Sequence, residues 1–405
     1  MRIAVASSGL GHVFRGIEGW AQDLAAALHA RGEEVTLFKG AGEAEMPYEK
    51  VLRCLQRESR GALWIHTLLP KHLVWRLGLG TVYGIEQISF GLKLIRHLRR
   101  GKFDVLHVQD PQLAQLVQRA ESLGLVKTKT ILAHGTNEPV QFLQRIRYLQ
   151  HLAPWHLEET RNAGAWKPTW TAIPNFIDTS AYRPGRNDPL RDELGIARNA
   201  LVILSVAAIK RQHKRIDYLL SEFAQLIERI PQAHLIVAGG AEADTPELIA
   251  IGRASLRGHF TPLVRFPRQR MSELYRCADL FVLCSVREMM PIALVEACAS
   301  GLPCVVNDHP ILRWIVGPAE DALIDMQKPG ALANAVAWLA TNPQRRSHLG
   351  KLARMHCEKN FGEASVVSQI LEYYHAVLDS RKPIPSDAAS RIDPNALLSA
   401  ACHRS

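Results

Sequence analysis

The sequence predicts an α/β protein with two doubly wound parallel-sheet domains that face each other across a cleft. Short β-rich runs alternate with helical patterns along most of the chain, as in parallel sheets flanked by helices. The length of 405 residues exceeds one ordinary domain, and the alternation restarts after a turn-rich stretch that follows Pro174. Ligands of such sheets bind beyond the carboxyl ends of the strands, which places the expected site in the cleft.

Five apolar runs define the first domain, residues 1–173. The run RIAVAS at 2–7 predicts a buried strand, and apolar residues then recur at helical spacing up to Gly32. The remaining strands are predicted at EVTLF (34–38), DVLHV (104–108), TILAH (130–134) and TWTAI (169–173).

The second domain, residues 174–380, repeats this rhythm and ends in helices. Its strands are predicted at ALVILSV (200–206), HLIVAGG (234–240), DLFVLCS (279–285), LPCVVN (302–307) and ALID (322–325). From Arg381 the chain is polar and contains prolines, so residues 381–405 are predicted to be a disordered tail.

The net charge of +10 is concentrated in residues 51–102, which contain ten Lys and Arg but only two Glu. Large apolar residues such as Trp64 and Trp75 are interleaved with these cations, a mixture that suits an anionic membrane surface. The alternative is a helical excursion on the first domain whose apolar face is core and whose cations are solvated. No nucleic-acid motif accompanies the charge, so nucleic acid is not expected as a partner.

The N-terminal apolar run is too short for a signal peptide, and no window is long and apolar enough to span a membrane. A cytoplasmic location is expected, with a peripheral position at the inner face of the membrane as an option. The seven cysteines are odd in number and scattered, which favours reduced thiols over a metal cluster or a disulfide framework.

The stretch REMMPIALVEACASGLPCVV (287–306) carries the strongest chemical signal. A helix is predicted over 291–300, with Pro291 in its first turn and Gly301 as its cap. No side chain is available to cap its first amides, so this helix start can hold an anion such as a diphosphate. Glu288 and Glu296 would then lie on either side, Glu296 accepting hydrogen bonds from ribose hydroxyls. The alternative is an acid near a helix start plus a solvent-facing Glu.

This stretch resembles the Glu, seven residues, Glu motif of the retaining glycosyltransferases of family 4. Further resemblances follow in the family's order: SGLGHVFRGIEGWAQDLAAALHARGEEVTLF is similar to its Gly-rich first loop and helix, DVLHVQDP to its DVVHVHD strand end, and IPNFIDTSAYRP to its IPNGVDTERFRP hinge. The resemblance implies the GT-B fold of two Rossmann-like domains. It also implies transfer of a hexose from a nucleotide sugar, such as a UDP- or GDP-sugar, with retention of configuration.

The resemblance assigns roles to individual residues. The first domain would bind a sugar or lipid-linked acceptor, as in polysaccharide biosynthesis, and the second would bind the nucleotide sugar. Glu288 and His134 would contact the reacting sugar, and Gly16 would allow close approach to the phosphates. Without the resemblance, His134 would be read as a core or capping residue. Donor binding would use Glu296 and the helix start at Met290, Pro291, Ile292 and Ala293.

The chain departs from the family pattern at three places. Arg15 replaces the first Gly of the first loop, and Met289 replaces the Gly after the first Glu. After the predicted strand at 200–206, the family has an Arg and, five residues later, a Lys that together form a clamp for the diphosphate. Lys214 fits the Lys of this clamp, but Ile209 stands at the Arg position. Lys210 or Arg211 would supply the missing charge; the alternative is a solvated basic helix start.

The sequence contains no Asp-x-Asp, so no metal ion or other cofactor is expected. Lys210, Arg211, Lys214 and the helix start would stabilise the negative charge of the leaving diphosphate instead.

Other enzyme classes fit less well. A dinucleotide oxidoreductase would need closer glycines than Gly9, Gly11 and Gly16, and an acid after Phe38. A glycosidase would need Glu288 and Glu296 to flank one glycosidic bond, but Glu288 precedes the predicted helix and Glu296 lies along it, so both are poorly placed. A GT-B epimerase or phosphorylase, or a catalytically silent homologue that binds nucleotide sugar, stays open as an alternative.

Overall fold

A computed structural model describes residues 1–13, 16–68, 79–379 and 384. The described residues form two units, one made of Met1–Pro174 with the chain from Val367 onward, the other of Asn175–Val366. Three predicted features lie outside the described residues: Arg15, nearly all of the tail at 381–405, and residues 69–78 of the positively charged stretch 51–102, here called the basic segment. Among the helices that are described, none has the length and apolar character needed to cross a membrane.

In its described part, the first unit contains a seven-stranded sheet in the order β3-β2-β1-β4-β5-β6-β7, with every neighbouring pair parallel. Its core is aliphatic and aromatic, with Phe38, Phe90 and Trp170 almost fully buried. The strands are β1 (Arg2–Ser7), β2 (Glu34–Lys39), β3 (Glu49–Val51), β4 (Val105–Val108), β5 (Lys129–His134), β6 (Tyr148–His151) and β7 (Trp170–Ala172).

The second unit contains a six-stranded sheet in the order β10-β9-β8-β11-β12-β13, again parallel throughout the residues described. Its strands are β8 (Leu201–Val206), β9 (Ala233–Gly239), β10 (Phe260–Val264), β11 (Leu280–Leu283), β12 (Cys304–Asn307) and β13 (Leu323–Ile324). Both sheets reverse their strand order once, which defines a doubly wound fold. The predicted class of two Rossmann-like parallel-sheet domains is therefore confirmed.

Helices connect the strands and cover the sheets. In the first unit they are α1 (Gly16–Ala30), α2 (Arg60–Leu68), α3 (Val82–Gly101), α4 (Pro111–Ser122), α5 (Val140–Leu143) and α6 (Pro154–Asn162). They continue with α7 (Asp188–Glu193), α8 (Ile216–Arg229), α9 (Thr245–Leu256), α10 (Met271–Cys277), α11 (Ile292–Ala299), α12 (Pro310–Val316), α13 (Ala331–Thr341), α14 (Pro343–Phe361) and α15 (Glu363–Leu378).

The last helix, α15, differs from the predicted domain boundary. The sequence placed residues up to 380 in the second domain, whereas the chain from Val367 onward is grouped with the first unit. Tyr373 is fully buried there and donates a hydrogen bond from its hydroxyl to the carbonyl of Thr169 at 2.8 Å. The Tyr374 hydroxyl lies 2.7 Å from Nδ1 of His107, which is also buried. These polar contacts, added to aromatic burial, account for the assignment.

Candidate functional site

The candidate donor site lies at the point where the second sheet reverses its strand order. Strands β8 and β11 are neighbours there, and the loops that follow them leave the same edge of the sheet. The loop after β8 carries Lys210, Arg211 and Lys214, and the loop after β11 carries Glu288 and leads into α11. A ligand crevice is expected at such a reversal.

Helix α11 begins without a side-chain cap. Pro291 occupies the N-cap position with φ −73° and ψ 109°, and no side chain accepts from the first turn. The amides of Ile292 and Ala293 have no hydrogen-bond acceptor in the described part of the chain. The helix ends at Gly301, whose φ of 73° suits a residue without Cβ. The helix start therefore presents free donors and the positive end of a dipole.

Two tyrosine hydroxyls hold the carboxylate of Glu296, which is 5% exposed. Tyr182 donates to Oε1 at 3.0 Å, and Tyr275 donates to Oε2 at 2.7 Å. Burial and the Glu296 carboxylate raise the pKa of Tyr275 well above its ordinary value, so its hydroxyl keeps its proton. Each tyrosine hydroxyl thus fixes one of the two carboxylate oxygens of Glu296.

The position of Tyr182 is fixed by an arginine on α14. The guanidinium of Arg354 donates to the carbonyls of Thr179, Tyr182 and Ala299. This one cation ties the stretch that carries Tyr182 to the end of α11, on which Glu296 lies. Sequence reasoning missed both tyrosines, although the signal was present: Tyr182 stands where the hinge pattern IPNGVDTERFRP has Phe.

Glu288 and Lys214 form an ion pair between the two loops. Glu288 is 8% exposed, and the Lys214 side chain is also largely covered. His213 donates from Nε2 to the carbonyl of Arg287 at 2.7 Å and lies 3.7 Å from the second oxygen of Glu288. The sequence assigned Lys214 to the diphosphate and Glu288 to the sugar separately, whereas the structure brings them together.

Backbone strain accompanies this ion pair. His213 and Arg215, on either side of Lys214, have φ values of 71° and 52°. Residues with a side chain rarely adopt this left-handed conformation, and each instance costs of order 1–3 kcal/mol. The amide of Arg215 donates to the carbonyl of Arg211 at 2.8 Å, which closes the turn. Strain of this kind is concentrated at functional sites.

The two candidates for the missing cation of the clamp differ in their surroundings. Arg211 donates two parallel hydrogen bonds to Glu247, at 2.8 and 2.9 Å, and its amide donates to Asp244. Lys210 has no ion-pair partner among the residues that the structure describes. Lys210 is therefore the better placed of the two to meet an incoming anion.

His134 and Gly16 belong to the first unit. His134 ends β5, is 5% exposed, and its Nδ1 lies 3.3 Å from Nδ1 of His151. Burial, and then the nearby His156, lower the pKa of His134 to about 3, so its ring is neutral at pH 7 and offers hydrogen bonds rather than charge. Gly16 is the first residue of α1.

A buried polar cluster lies where the first sheet reverses, and sequence reasoning missed it. Glu86 is fully buried and accepts from Arg57 Nη2 at 2.6 Å and from His12 Nε2 at 2.9 Å. Burial alone would raise its pKa, but the hydrogen bonds from His12 and Arg57 outweigh it and lower the pKa of Glu86 to about 2. Asp110 accepts from the amide of Ser8 at 2.7 Å, which joins the ends of β1 and β4.

Within the residues described, no group of three or more His, Cys, Asp or Glu is arranged to hold a metal ion. The six cysteines in this part are free thiols.

Comparison with known proteins identifies similar chains. The family model "Glycosyl transferases group 1" matches residues 187–356, which include the loops after β8 and β11. The chain is 27% identical to a D-inositol 3-phosphate glycosyltransferase from Rhodococcus erythropolis, over 91% of this chain and 82% of that protein. It is 24% identical to an alpha-galactosylglucosyldiacylglycerol synthase from Streptococcus pneumoniae, over 58% of this chain and 62% of that protein.

Solved structures share the fold. Sucrose-phosphate synthase from Thermosynechococcus elongatus superposes with a TM-score of 0.75 at 17% identity, over 93% of this chain and 99% of that one. HepE from Anabaena, solved in complex with UDP and glucose, superposes with a TM-score of 0.72 at 17% identity, over 93% and 100% of the two chains.

Proposed function

Since the family model of the glycosyl transferases group 1 matches residues 187–356, we propose that the chain is a member of this family and a retaining family 4 enzyme that moves a hexose from a UDP- or GDP-sugar to a hydroxyl acceptor. The observation that carries the proposal is in the second unit. There an uncapped helix start, an available lysine and a carboxylate fixed by two tyrosines surround the point where the sheet reverses.

Donor binding follows from the chemistry of these groups. The diphosphate lies at the start of α11, where the amides of Ile292 and Ala293 donate to it and the helix dipole favours its charge. Each carboxylate oxygen can accept about two hydrogen bonds. Glu296, whose carboxylate is held in place by the two tyrosine hydroxyls, accepts hydrogen bonds from the ribose hydroxyls of the donor in this proposal.

The chemical step uses the departing diphosphate as the base. The acceptor oxygen bonds to the anomeric carbon on the face from which the diphosphate leaves, and its proton passes to a diphosphate oxygen. Negative charge that develops on the leaving group is stabilised by Lys214, Lys210 and the start of α11. Glu288 orients the Lys214 ammonium and contacts the donor sugar. The proposal assigns no step to a metal ion.

For the acceptor, we propose a hydroxyl of a lipid-linked or cell-envelope glycan bound by the first unit, with neutral His134 at the sugar pocket. The name of the Streptococcus pneumoniae relative, alpha-galactosylglucosyldiacylglycerol synthase, supports a lipid-linked acceptor. Exposed apolar side chains in the basic segment also support it: Trp64 is 67% exposed, Leu68 59% and Leu92 62%. We propose that this surface binds an anionic membrane, so that the enzyme is peripheral.

The donor site is tested by thermal stability of the purified protein against UDP-, GDP-, ADP- and dTDP-sugars. One nucleotide should raise the midpoint of unfolding, because a ligand that binds only the native state stabilises it. Glu296→Ala should abolish this shift, and Tyr182→Phe should weaken binding about tenfold through loss of one charge-assisted hydrogen bond. Arg198→Ala, which changes an exposed ion pair with Asp192, is the matched control and should retain the shift.

An unchanged shift in Glu296→Ala would refute the donor site. A donor that binds to the wild type without any transfer or hydrolysis would instead identify a silent homologue.

Membrane association is tested by sedimentation with vesicles. The wild type should bind vesicles that contain anionic lipid, with a bound fraction that falls as salt rises. Trp64→Ala should reduce binding several-fold, whereas Trp338→Ala, a partly exposed tryptophan in the second unit, should not. Failure to bind anionic vesicles at any salt concentration would remove this part of the proposal.

A further inference from the structure

The first unit contains a cavity that the proposed donor chemistry does not use. Its volume is about 560 Å³, and its walls are the loop after β2, the end of β3 and one face of α3. This volume is ordinary for a site that binds a small molecule. Every described lining residue belongs to the first unit.

The lining of the cavity is positively charged. Arg53 lies in the loop that follows β3, and Lys93 and Arg96 come from α3. Among the lining residues that the structure describes, Glu43 is the one acid, so these residues carry two positive charges in excess. His97 also lines the cavity; burial, and then the nearby Lys50, lower its pKa, so it contributes a neutral ring.

Within the residues that the structure describes, no acid forms an ion pair with these cations. In the described part of the chain, the guanidinium groups of Arg53 and Arg96 form no ion pair and no hydrogen bond. Lys93 donates one of its three protons to the carbonyl of Arg53 at 2.5 Å, which leaves two for a ligand. Concave walls that carry unpaired like charges concentrate anions, since they focus the local field.

The spacing on α3 adds a second argument. Lys93, Arg96 and Arg100 lie at intervals of three and four residues, so they are neighbours on one side of the helix. Like charges at these intervals destabilise a helix, and no acid from α3 is interleaved among them. A bound anion between Arg53 and Arg96 would relieve this repulsion.

The type of anion follows from the chemistry of the lining residues. Two planar guanidinium forks suit a tetrahedral phosphate, because each fork donates two parallel hydrogen bonds. Apolar contact is also available from Val51 and Leu52, which line the same cavity. We propose that this cavity binds the phosphate group of a phosphate ester, separately from the diphosphate of the donor. A membrane phospholipid headgroup and a soluble phosphate ester share this chemistry.

The test uses the full chain without any nucleotide sugar. Binding of inorganic phosphate and of glycerol 3-phosphate is measured by calorimetry at constant low ionic strength, and binding of phosphatidylglycerol vesicles by sedimentation. The double variant Arg53→Ala, Arg96→Ala should weaken binding at least about tenfold. Arg99→Ala is the matched control, because Arg99 lies on the same helix, is exposed and is not part of the lining.

The outcomes separate the two sources of phosphate. Saturable binding of glycerol 3-phosphate that only the double variant loses would support the proposal with a soluble ester as ligand. Vesicle binding with the same sensitivity, without soluble binding, would support it with a lipid headgroup.

Equal weakening by Arg99→Ala and the double variant, or no saturable binding of either probe, would overturn the proposal. The thermal shift with nucleotide sugar should persist in the double variant, so failure at the cavity is distinguishable from failure of the donor site.

Discussion

Glu288→Gln is expected to lower the rate constant of sugar transfer about a hundredfold, with a much smaller effect on the affinity for the nucleotide alone. Glu288 is almost fully buried and pairs with Lys214, so the substitution removes the negative partner and releases the ammonium from its fixed position. A group that is preorganised around a reacting centre contributes about this much to the rate. Steady-state kinetics with the donor identified by thermal shift would give kcat and KM separately.

Glu247→Gln is the matched control for this prediction. Glu247 also pairs with a cation of the loop after β8, Arg211, but its side chain is 66% exposed. An exposed ion pair holds its members weakly, so kcat should change little. If Glu288→Gln kept full transfer activity, the role of Glu288 at the sugar would be wrong.

The second large effect is on stability. Glu86→Ala is expected to lower the free energy of unfolding by about 3–5 kcal/mol, because the largely covered guanidinium of Arg57 loses its hydrogen-bonded partner and retains only Glu18 at 3.8 Å. The Arg57 side chain is only 12% exposed, and it donates to both oxygens of Glu86 through Nε and to one through Nη2. Chemical denaturation of the full chain, followed by circular dichroism, would measure the loss.

The pH dependence of stability gives an independent check on Glu86. Its pKa in the folded state, about 2, is below the ordinary value of 4.5. Its contribution is therefore fully present above about pH 4.5 and is lost as the pH falls toward 2. Glu86→Gln should make the free energy of unfolding less dependent on pH across this window. Asp110 contributes with the opposite sign, because burial, and also the Glu86 carboxylate, raise its pKa. Glu86→Gln removes the second of these causes, so the opposing contribution of Asp110 should become smaller in the variant.

Glu193→Ala is the control for the stability measurement. Glu193 pairs with Arg270, but the Glu193 side chain is exposed and that of Arg270 is partly exposed, so no comparable loss is expected. If Glu86→Ala lowered the free energy of unfolding no more than Glu193→Ala does, the predicted contribution of the buried pair of Glu86 and Arg57 would be wrong.

The strands show how much of the fold can be predicted from runs of apolar residues. The ten predicted strands are confirmed within about two residues at each end, because buried parallel strands are continuous apolar runs. Three strands were missed: β3 and β10, at sheet edges, and β6. Strand β3 has only three residues, β10 contains Pro262, and β6 places Gln150 and His151 among its buried positions, which hides the apolar pattern.

The candidate site could be predicted only where its residues lie close together in the sequence. The loop after β11 and its uncapped helix can be read locally, since Glu288, Pro291 and Glu296 lie within nine residues. The partners of these acids cannot: Lys214 is 74 residues from Glu288, and Tyr182 is 114 residues from Glu296. The roles of these residues in catalysis and binding stay predictions.

The assignment of α15 to the first unit has a consequence for how the chain is made. Residues 1–174 leave the ribosome long before the helix that carries Tyr373 and Tyr374, and the entire second unit is synthesised in between. Since Tyr373 and Tyr374 are fully buried in the finished protein, the surface that they cover stays open during this interval. The second unit, whose described strands are contiguous in sequence, has no such wait. The half of the protein that is translated first is therefore the half that is completed last.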